Sequence, residues 1–288
     1  MPTLTALNKI TAYLKMIKFS HSIFALPFAF TAAILAANGL PSLRQGLWIA
    51  VAMVGARSAA MGLNRVVDRK IDALNPRTSA RELPTGAISV TDARLFVALS
   101  TMVFVAAAYM LNPLCLKLSP LAIGIIFFYS YTKRFTWVCH LVLGVAIALA
   151  PLGAWIAIRG ELSYQILPLV VAVVFWLAGF DTIYGLQDID FDKSHGLYSI
   201  PQRFGVHRAL IIARGFHVVS CLLLALTGVV FHLGVVYYAG LVAVALFFWY
   251  EHAIISRDDL TRINIAFFNA NGYISLTVFV FVLIEKSL

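Results

Sequence analysis

LWIAVAMVGARSAAMGLNRVVDRKID, residues 47–72, decides how the whole chain is read. It begins as an apolar run fit to cross a bilayer and ends on Asn64, Asp68 and Asp72. Their i, i+4, i+8 spacing stacks all three on one helix face. DTIYGLQDIDFD, residues 181–192, repeats the arrangement with Tyr184, Asp188 and Asp192, again where an apolar segment meets a polar loop. Two carboxylate ladders at one end of a membrane bundle invite Mg²⁺. That ion prefers oxygen ligands and usually holds substrate phosphates through only one or two carboxylates. Asp68, Asp72, Asp188 and Asp192 are therefore the expected metal ligands, and a diphosphate is the expected substrate group.

The surrounding composition agrees. Of 288 residues, 61% are hydrophobic and only 12% charged, about half the charged fraction of an ordinary soluble domain. Mean hydropathy is +0.89. Apolar runs at 19–39, 46–66, 94–111, 114–131, 136–157, 164–184, 208–231, 235–254 and 264–284 predict nine transmembrane helices, each close to the ~20 residues that a bilayer core needs. The first run follows Lys15 and Lys18 but is too long for a signal-peptide core. The chain reads as one polytopic domain over 1–288.

Charge sets the orientation. With the N-terminus cytoplasmic, the inner side holds Lys9, Lys15, Lys18, Arg65, Arg69, Lys70, Arg77, Arg81, Arg94, Lys133, Arg134, Lys193, Arg203, Arg208, Arg257 and Arg262, while Arg44, Lys117, Arg159 and Lys286 lie outside. Arg57 and Arg214 fall within helices. This is the positive-inside bias of a plasma-membrane protein, so the net charge of +9 calls for no nucleic-acid partner. Cys115, Cys139 and Cys221 lie in separate spans without metal-binding or disulfide spacing. Asp68 and Asp188 are 120 residues apart, four spans and their loops, which suggests duplication of spans 1–4 as 5–8.

Arg57 is the costliest residue in a span interior. It lies seven residues before Asn64, ~10 Å deeper on the same face, and an intramembrane arginine needs an anionic partner. Asp181 shares the face of the second ladder. His140, Arg214, His217, Glu251 and His252 fall nearer helix ends, where snorkelling accounts for them. Arg77, Arg81, Lys133, Arg134 and Lys193 sit in inner loops beside the ladders, placed to counter a diphosphate.

These motifs carry a resemblance. Arg57 ahead of the Asn64/Asp68/Asp72 ladder, RTSARELPTG at 77–86, YTKR at 131–134 and the Tyr184/Asp188/Asp192 ladder, in that order, resemble the UbiA superfamily of intramembrane aromatic prenyltransferases. The resemblance covers essentially the whole chain. It implies an all-α bundle of nine helices around a central cavity, Mg²⁺ as cofactor, and transfer of a prenyl group from a polyprenyl diphosphate to an aromatic acid. The most similar branches are those acting on 4-hydroxybenzoate and on a naphthoate of menaquinone synthesis. Two positions depart from the pattern. Arg65 stands where many members have an aspartate and is expected off the ladder face; Glu82 replaces a usual proline.

The chemistry also follows from the residues. An allylic diphosphate ionises when metal ions and cationic clamps neutralise the departing group in a water-poor site. Asn64 and Asp68 are candidates for holding the phenol or helping remove its proton, Tyr184 is a further catalytic candidate, and Arg57 is a candidate for binding the aromatic carboxylate. Among other classes, a secondary transporter would put its charges near the midplane at broken helices, and a scaffold would need neither ladder. Within the superfamily, haem-modifying and lipid-type prenyltransferases compete, but their acceptors would not need a buried cation.

Overall fold

A chain crossing a bilayer must satisfy its own backbone hydrogen bonds, and this one does so with helices. The computed structural model describes residues 6–18, 22–255, 260, 262–263 and 271–288. The helices are α1 (Ala6–Met16), α2 (Ser22–Ala37), α3 (Leu43–Leu74), α4 (Val90–Leu111), α5 (Pro113–Thr132), α6 (Cys139–Arg159), α7 (Leu167–Tyr184), α8 (Ile189–Ser194), α9 (Ile200–Val230), α10 (Val235–Ala253) and α11 (Asn271–Glu285). Seven stretches are long and apolar enough to cross a membrane: α3 to α6, the segment Tyr164–Ser194 containing α7 and α8, α9 and α10. Ala25–Ala37 and Asn271–Glu285 are shorter apolar helices. They occupy the expected first and ninth spans, whose portions at 19–21 and 264–270 lie outside the described residues, as does Arg257.

Local chemistry sets the boundaries. Ser42 and Gln45 form a reciprocal capping box at the start of α3. The helix then runs 32 residues without a break, about 48 Å of axial rise. The first ladder therefore rides on the final turns of a single rod. Asn112 separates α4 from α5 by itself: its backbone is extended, its Oδ1 accepts from Cys115 N at 2.9 Å, and its Nδ2 donates to Ile156 O at 2.8 Å. Proline follows at the first helical position, where its missing N–H costs nothing.

The second ladder departs from expectation. Tyr184 ends α7, Gly185–Asp188 forms a 3-10 turn, and α8 resumes at Ile189. Tyr184, Asp188 and Asp192 thus do not share one continuous α-helical face. The tighter 3-10 winding swings Asp188 toward the loop that follows α3.

The main core joins α2, α6, α7, α9, α10 and α11 around Trp176, which packs on Phe28 and Phe180. Two glycines bring neighbouring helix backbones close together. A Cβ on Gly144 of α6 would lie 2.5 Å from Val174 O of α7, and one on Gly55 of α3 would lie 2.8 Å from Phe104 N of α4. Small residues at such crossings are how membrane helices gain packing contact.

Snorkelling does not account for the polar groups of the second half. Glu251 is 0% exposed and accepts from Asn271 Nδ2 at 3.0 Å, and Asn271 Oδ1 accepts from Trp176 Nε1 at 2.8 Å. His217 is buried with its Nδ1 3.0 Å from His252 Nε2. Arg214 alone of that group is exposed in the expected way. This network ties α7, α9, α10 and α11 together, although Glu251 Oε2, His217 Nε2 and His252 Nδ1 have no hydrogen-bond partner among the described residues.

Candidate active site

A cavity of about 680 Å³ opens between α3, α4, α5, α6 and α7. Its walls are apolar toward the middle of the bundle, where Met53, Phe104, Leu118 and Ile147 line it, and densely charged at the end where α3 stops. The first ladder forms one side of that end. Asp68 is 2% exposed. Its Oδ1 accepts from Arg134 Nη2 at 2.8 Å, and its Oδ2 accepts from Lys133 Nζ at 2.8 Å and Asn64 Nδ2 at 3.1 Å. One turn on, both oxygens of Asp72 accept from Arg81 Nη1 at 2.8 Å.

The second ladder forms the other side, and the loop after α3 joins the two. Arg77 donates from Nε and Nη2 to Asp188 at 2.9 and 2.5 Å, and from Nη1 to Tyr184 Oη at 3.1 Å. Burial alone would lower the pKa of this guanidinium, but hydrogen bonding and charge from Asp188 raise it above the usual arginine value, so it stays a cation. Asn75 completes the bridge, donating from Nδ2 to Asp188 Oδ1 at 2.9 Å while its own Oδ1 accepts from Arg77 N. Asp192 accepts from Ser199 Oγ at 2.9 Å.

Among the described residues no three His, Cys, Asp or Glu side chains are gathered closely enough to hold a metal ion by themselves. Three of the four ladder aspartates are instead neutralised by Arg or Lys. Lys193 is exposed and lies outside the cavity lining, and Arg134 reaches the site only from behind Asp68.

Deeper down, Arg57 lines the cavity as its sequence position suggests. Its Nη2 lies 3.5 Å from Lys18 O, and its buried Nε has no partner among the described residues. Arg65, expected off the ladder face, is 4% exposed, lines the cavity, and donates from Nε to Met16 O at 3.2 Å. Two arginines of α3 thus hold carbonyls at the C-terminal end of α1, where cations complement the helix dipole.

Lys18, Asn75 and Ser199 are site residues that sequence reading missed. Lys18 looks like one more inner-face charge, yet it lines the cavity with its Nζ 5.9 Å from the Tyr184 ring centre. Burial, with Arg65, Arg81, Arg77 and Arg57 nearby, lowers its pKa to about 8. Asn75 caps the end of α3 and Ser199 the start of α9, and each also grips a carboxylate.

Residues 25–273, which include both acidic clusters, match the family described as the UbiA prenyltransferase family. The chain belongs to that family. It is a prenyltransferase, and its relatives extend along its length. The 4-hydroxybenzoate octaprenyltransferase of Vibrio campbellii (strain ATCC BAA-1116) is 31% identical over 281 residues, spanning 96% of this chain and 98% of that protein. An apo structure of a UbiA homolog from Aeropyrum pernix K1 superposes with a TM-score of 0.79 at 34% identity, covering 91% of this chain and 95% of that one. A UbiA homolog from Archaeoglobus fulgidus, bound to GPP and Mg²⁺, shares the fold with a TM-score of 0.74 at 22% identity over 96% of this chain and 100% of that one.

Proposed function

We propose that this UbiA-family protein transfers a polyprenyl group from its diphosphate to an aromatic acid, 4-hydroxybenzoate or a dihydroxynaphthoate, in quinone biosynthesis. The observation that carries this is the vertical order of charges in one cavity. Carboxylates and their cations ring the mouth, and Arg57, with no carboxylate partner among the described residues, lies beneath them. A haem or lipid acceptor has no use for that deep guanidinium. An acceptor with a carboxylate gains a charge-assisted pair there.

The mouth suits Mg²⁺ with a diphosphate. Its donors are carboxylate oxygens, the hard ligands this ion prefers, and the lack of a closed protein cage fits an ion that relies on one or two carboxylates and substrate phosphates. Asp68, Asp72, Asp188 and Asp192 would hold it. When bound it neutralises charge developing on the departing diphosphate. Lys133, Arg81 and Arg77 now satisfy aspartates, and they are placed to turn toward phosphate oxygens once those aspartates are otherwise engaged. Arg is suited to a bidentate grip and Lys to a point charge. Tyr184, held by Arg77, lines the cavity beside the mouth, where its aromatic face would stabilise an allylic cation. The apolar body of the cavity would take the isoprenoid tail and exclude water.

The proposal extends to topology: nine spans, with α2 and α11 completing the set, the N-terminus and the charged mouth on the cytoplasmic side of the plasma membrane. The test is incubation of purified protein in liposomes with Mg²⁺, a polyprenyl diphosphate and matched acceptors with and without a carboxylate. Prenylated aromatic acid by mass spectrometry, abolished by EDTA, is expected. Product from neutral phenols alone, or undiminished turnover in EDTA, refutes the reading.

A further inference from the structure

Asp181 and His140 form a pair inside the cavity that the reading above leaves without a task. Asp181 lies one turn before Tyr184 near the end of α7 and seven residues before Asp188, with the 3-10 turn between them. That is the same sequence interval as from Arg57 to Asn64, and both Asp181 and Arg57 line the cavity. Its Oδ2 is 2.7 Å from His140 Nδ1, while its Oδ1 has no partner among the described residues and a quarter of its side chain (25%) is accessible. His140, by contrast, is 5% exposed. It sits at the start of α6 against Gly185, where a Cβ would come within 3.2 Å of its Cε1. The imidazole is wedged in place and its Nδ1 is aimed at one carboxylate oxygen. An oriented carboxylate with one oxygen held and one free is the arrangement of a positioned base.

The other carboxylate considered for that task is already committed. Asp68 has both oxygens engaged by Asn64, Lys133 and Arg134, and its neighbours belong to the diphosphate end. A ring whose carboxylate sits at Arg57 and whose carbon meets the prenyl C1 below the mouth presents its hydroxyl to the middle of the cavity. Asp181 is the free carboxylate there.

We propose that Asp181 is the proton acceptor for the aromatic hydroxyl and His140 its positioning residue; this rests on the aromatic-acid reading above. The hydroxyl O–H bond breaks and its proton passes to Asp181 Oδ1. The electron pair moves into the ring, and the carbon beside the oxygen bonds to C1 of the prenyl chain. The C1–O bond breaks and its electron pair leaves with the diphosphate. The resulting dienone loses its ring hydrogen as a proton to the diphosphate, and Asp181 returns its proton to the oxygen. In balance, one ring C–H becomes C–C and one proton leaves with the diphosphate.

The test compares full-length wild type, Asp181→Asn and His140→Gln in liposomes on 4-hydroxybenzoate and on a ring-fluorinated analogue whose hydroxyl is more acidic. Asp181→Asn should lose about 10²-fold or more in kcat on the parent acid, with KM for the acid little changed, and at least tenfold of that loss should be recovered on the fluorinated acid. His140→Gln should show a smaller loss with the same dependence on acceptor acidity. Affinity for a non-reactive thiolodiphosphate analogue should be unchanged in both variants, which reports a folded cavity. An Asp181→Asn defect of equal size on both acceptors, or one accompanied by lost analogue binding, overturns the proposal. If wild type prenylates only uncharged phenols, the acid reading fails by itself, and a phenol and its fluorinated counterpart decide the role of Asp181 by the same criterion.

Discussion

Replacing Arg57 by alanine should separate binding of the acceptor from everything else the protein does. The only hydrogen bond of its guanidinium among the described residues is to Lys18 O at 3.5 Å, the outer limit of such a bond, and its buried Nε is unpartnered. Removing a contact that weak should cost the fold no more than about 1 kcal/mol. The acceptor is affected differently, because its carboxylate would then enter the apolar part of the cavity with no cation to meet it. Truncating one side of a desolvated charge pair costs roughly 2–5 kcal/mol. The cavity is open at its charged mouth and admits some water, which favours the lower part of that range. At 1.36 kcal/mol per decade, about 2–3 kcal/mol is a 30- to 150-fold rise in KM for the aromatic acid. The matching uncharged phenol should be affected by less than about threefold, well under 1 kcal/mol on the same scale. Steady-state kinetics in liposomes at saturating polyprenyl diphosphate, with thermal unfolding as the control, reads both quantities. Equal losses on acid and phenol, or a large drop in melting temperature, would show Arg57 to be a packing and strapping residue for α1, and the acceptor assignment would fall with it.

Three further outcomes follow from the geometry. Asp68→Asn should reduce turnover by about 10²–10³-fold, the scale of a lost electrostatic contact to a developing charge; a variant within tenfold of wild type would remove Asp68 from the metal set. Lys18 has a pKa of about 8 in the folded state against 10.5 as the ordinary value. The unfolded chain therefore binds more protons between those limits, and wild-type stability should rise relative to Lys18→Met as pH goes from about 8 to 10.5. Parallel pH profiles of melting temperature for the two proteins would contradict this. Gly144→Ala puts a Cβ 2.5 Å from Val174 O and should destabilise the α6/α7 crossing by about 1–3 kcal/mol, seen as a lower melting temperature; an unchanged midpoint would mean that the helices separate freely.

The parts of this protein that were legible in its sequence are those governed by periodicity and hydrophobicity. Residues 47–72 announce both a span and a ladder, because a helix repeats every 3.6 residues whatever surrounds it. The ladder on α3 emerges as read, while the one at 184–192 does not, since a 3-10 turn can replace an α-turn without changing composition. Arg65, Asn75 and Ser199 were beyond reach for a different reason. Their partners are Met16, Asp188 and Asp192, and for the first two the pairing depends on how distant segments fold back. Glu251 and His217 were misjudged because proximity to a helix end does not reveal whether neighbouring helices cover it. Only packing turns a terminus into an interior.

The unbroken course of α3 has a consequence for which molecules this enzyme can use. Arg57 and Asp68 are eleven residues apart on one rod, about 16 Å of axial rise, and no hinge lies between them. On the proposed reading the helix works as a ruler: one mark would fix where a carboxylate is held, and the other where the diphosphate leaves its carbon. A ring whose carboxylate stands at a different distance from its reactive carbon is out of register at one mark or the other, and no movement of the loops at the mouth can correct it. An enzyme built this way would be strict about the geometry of its ring.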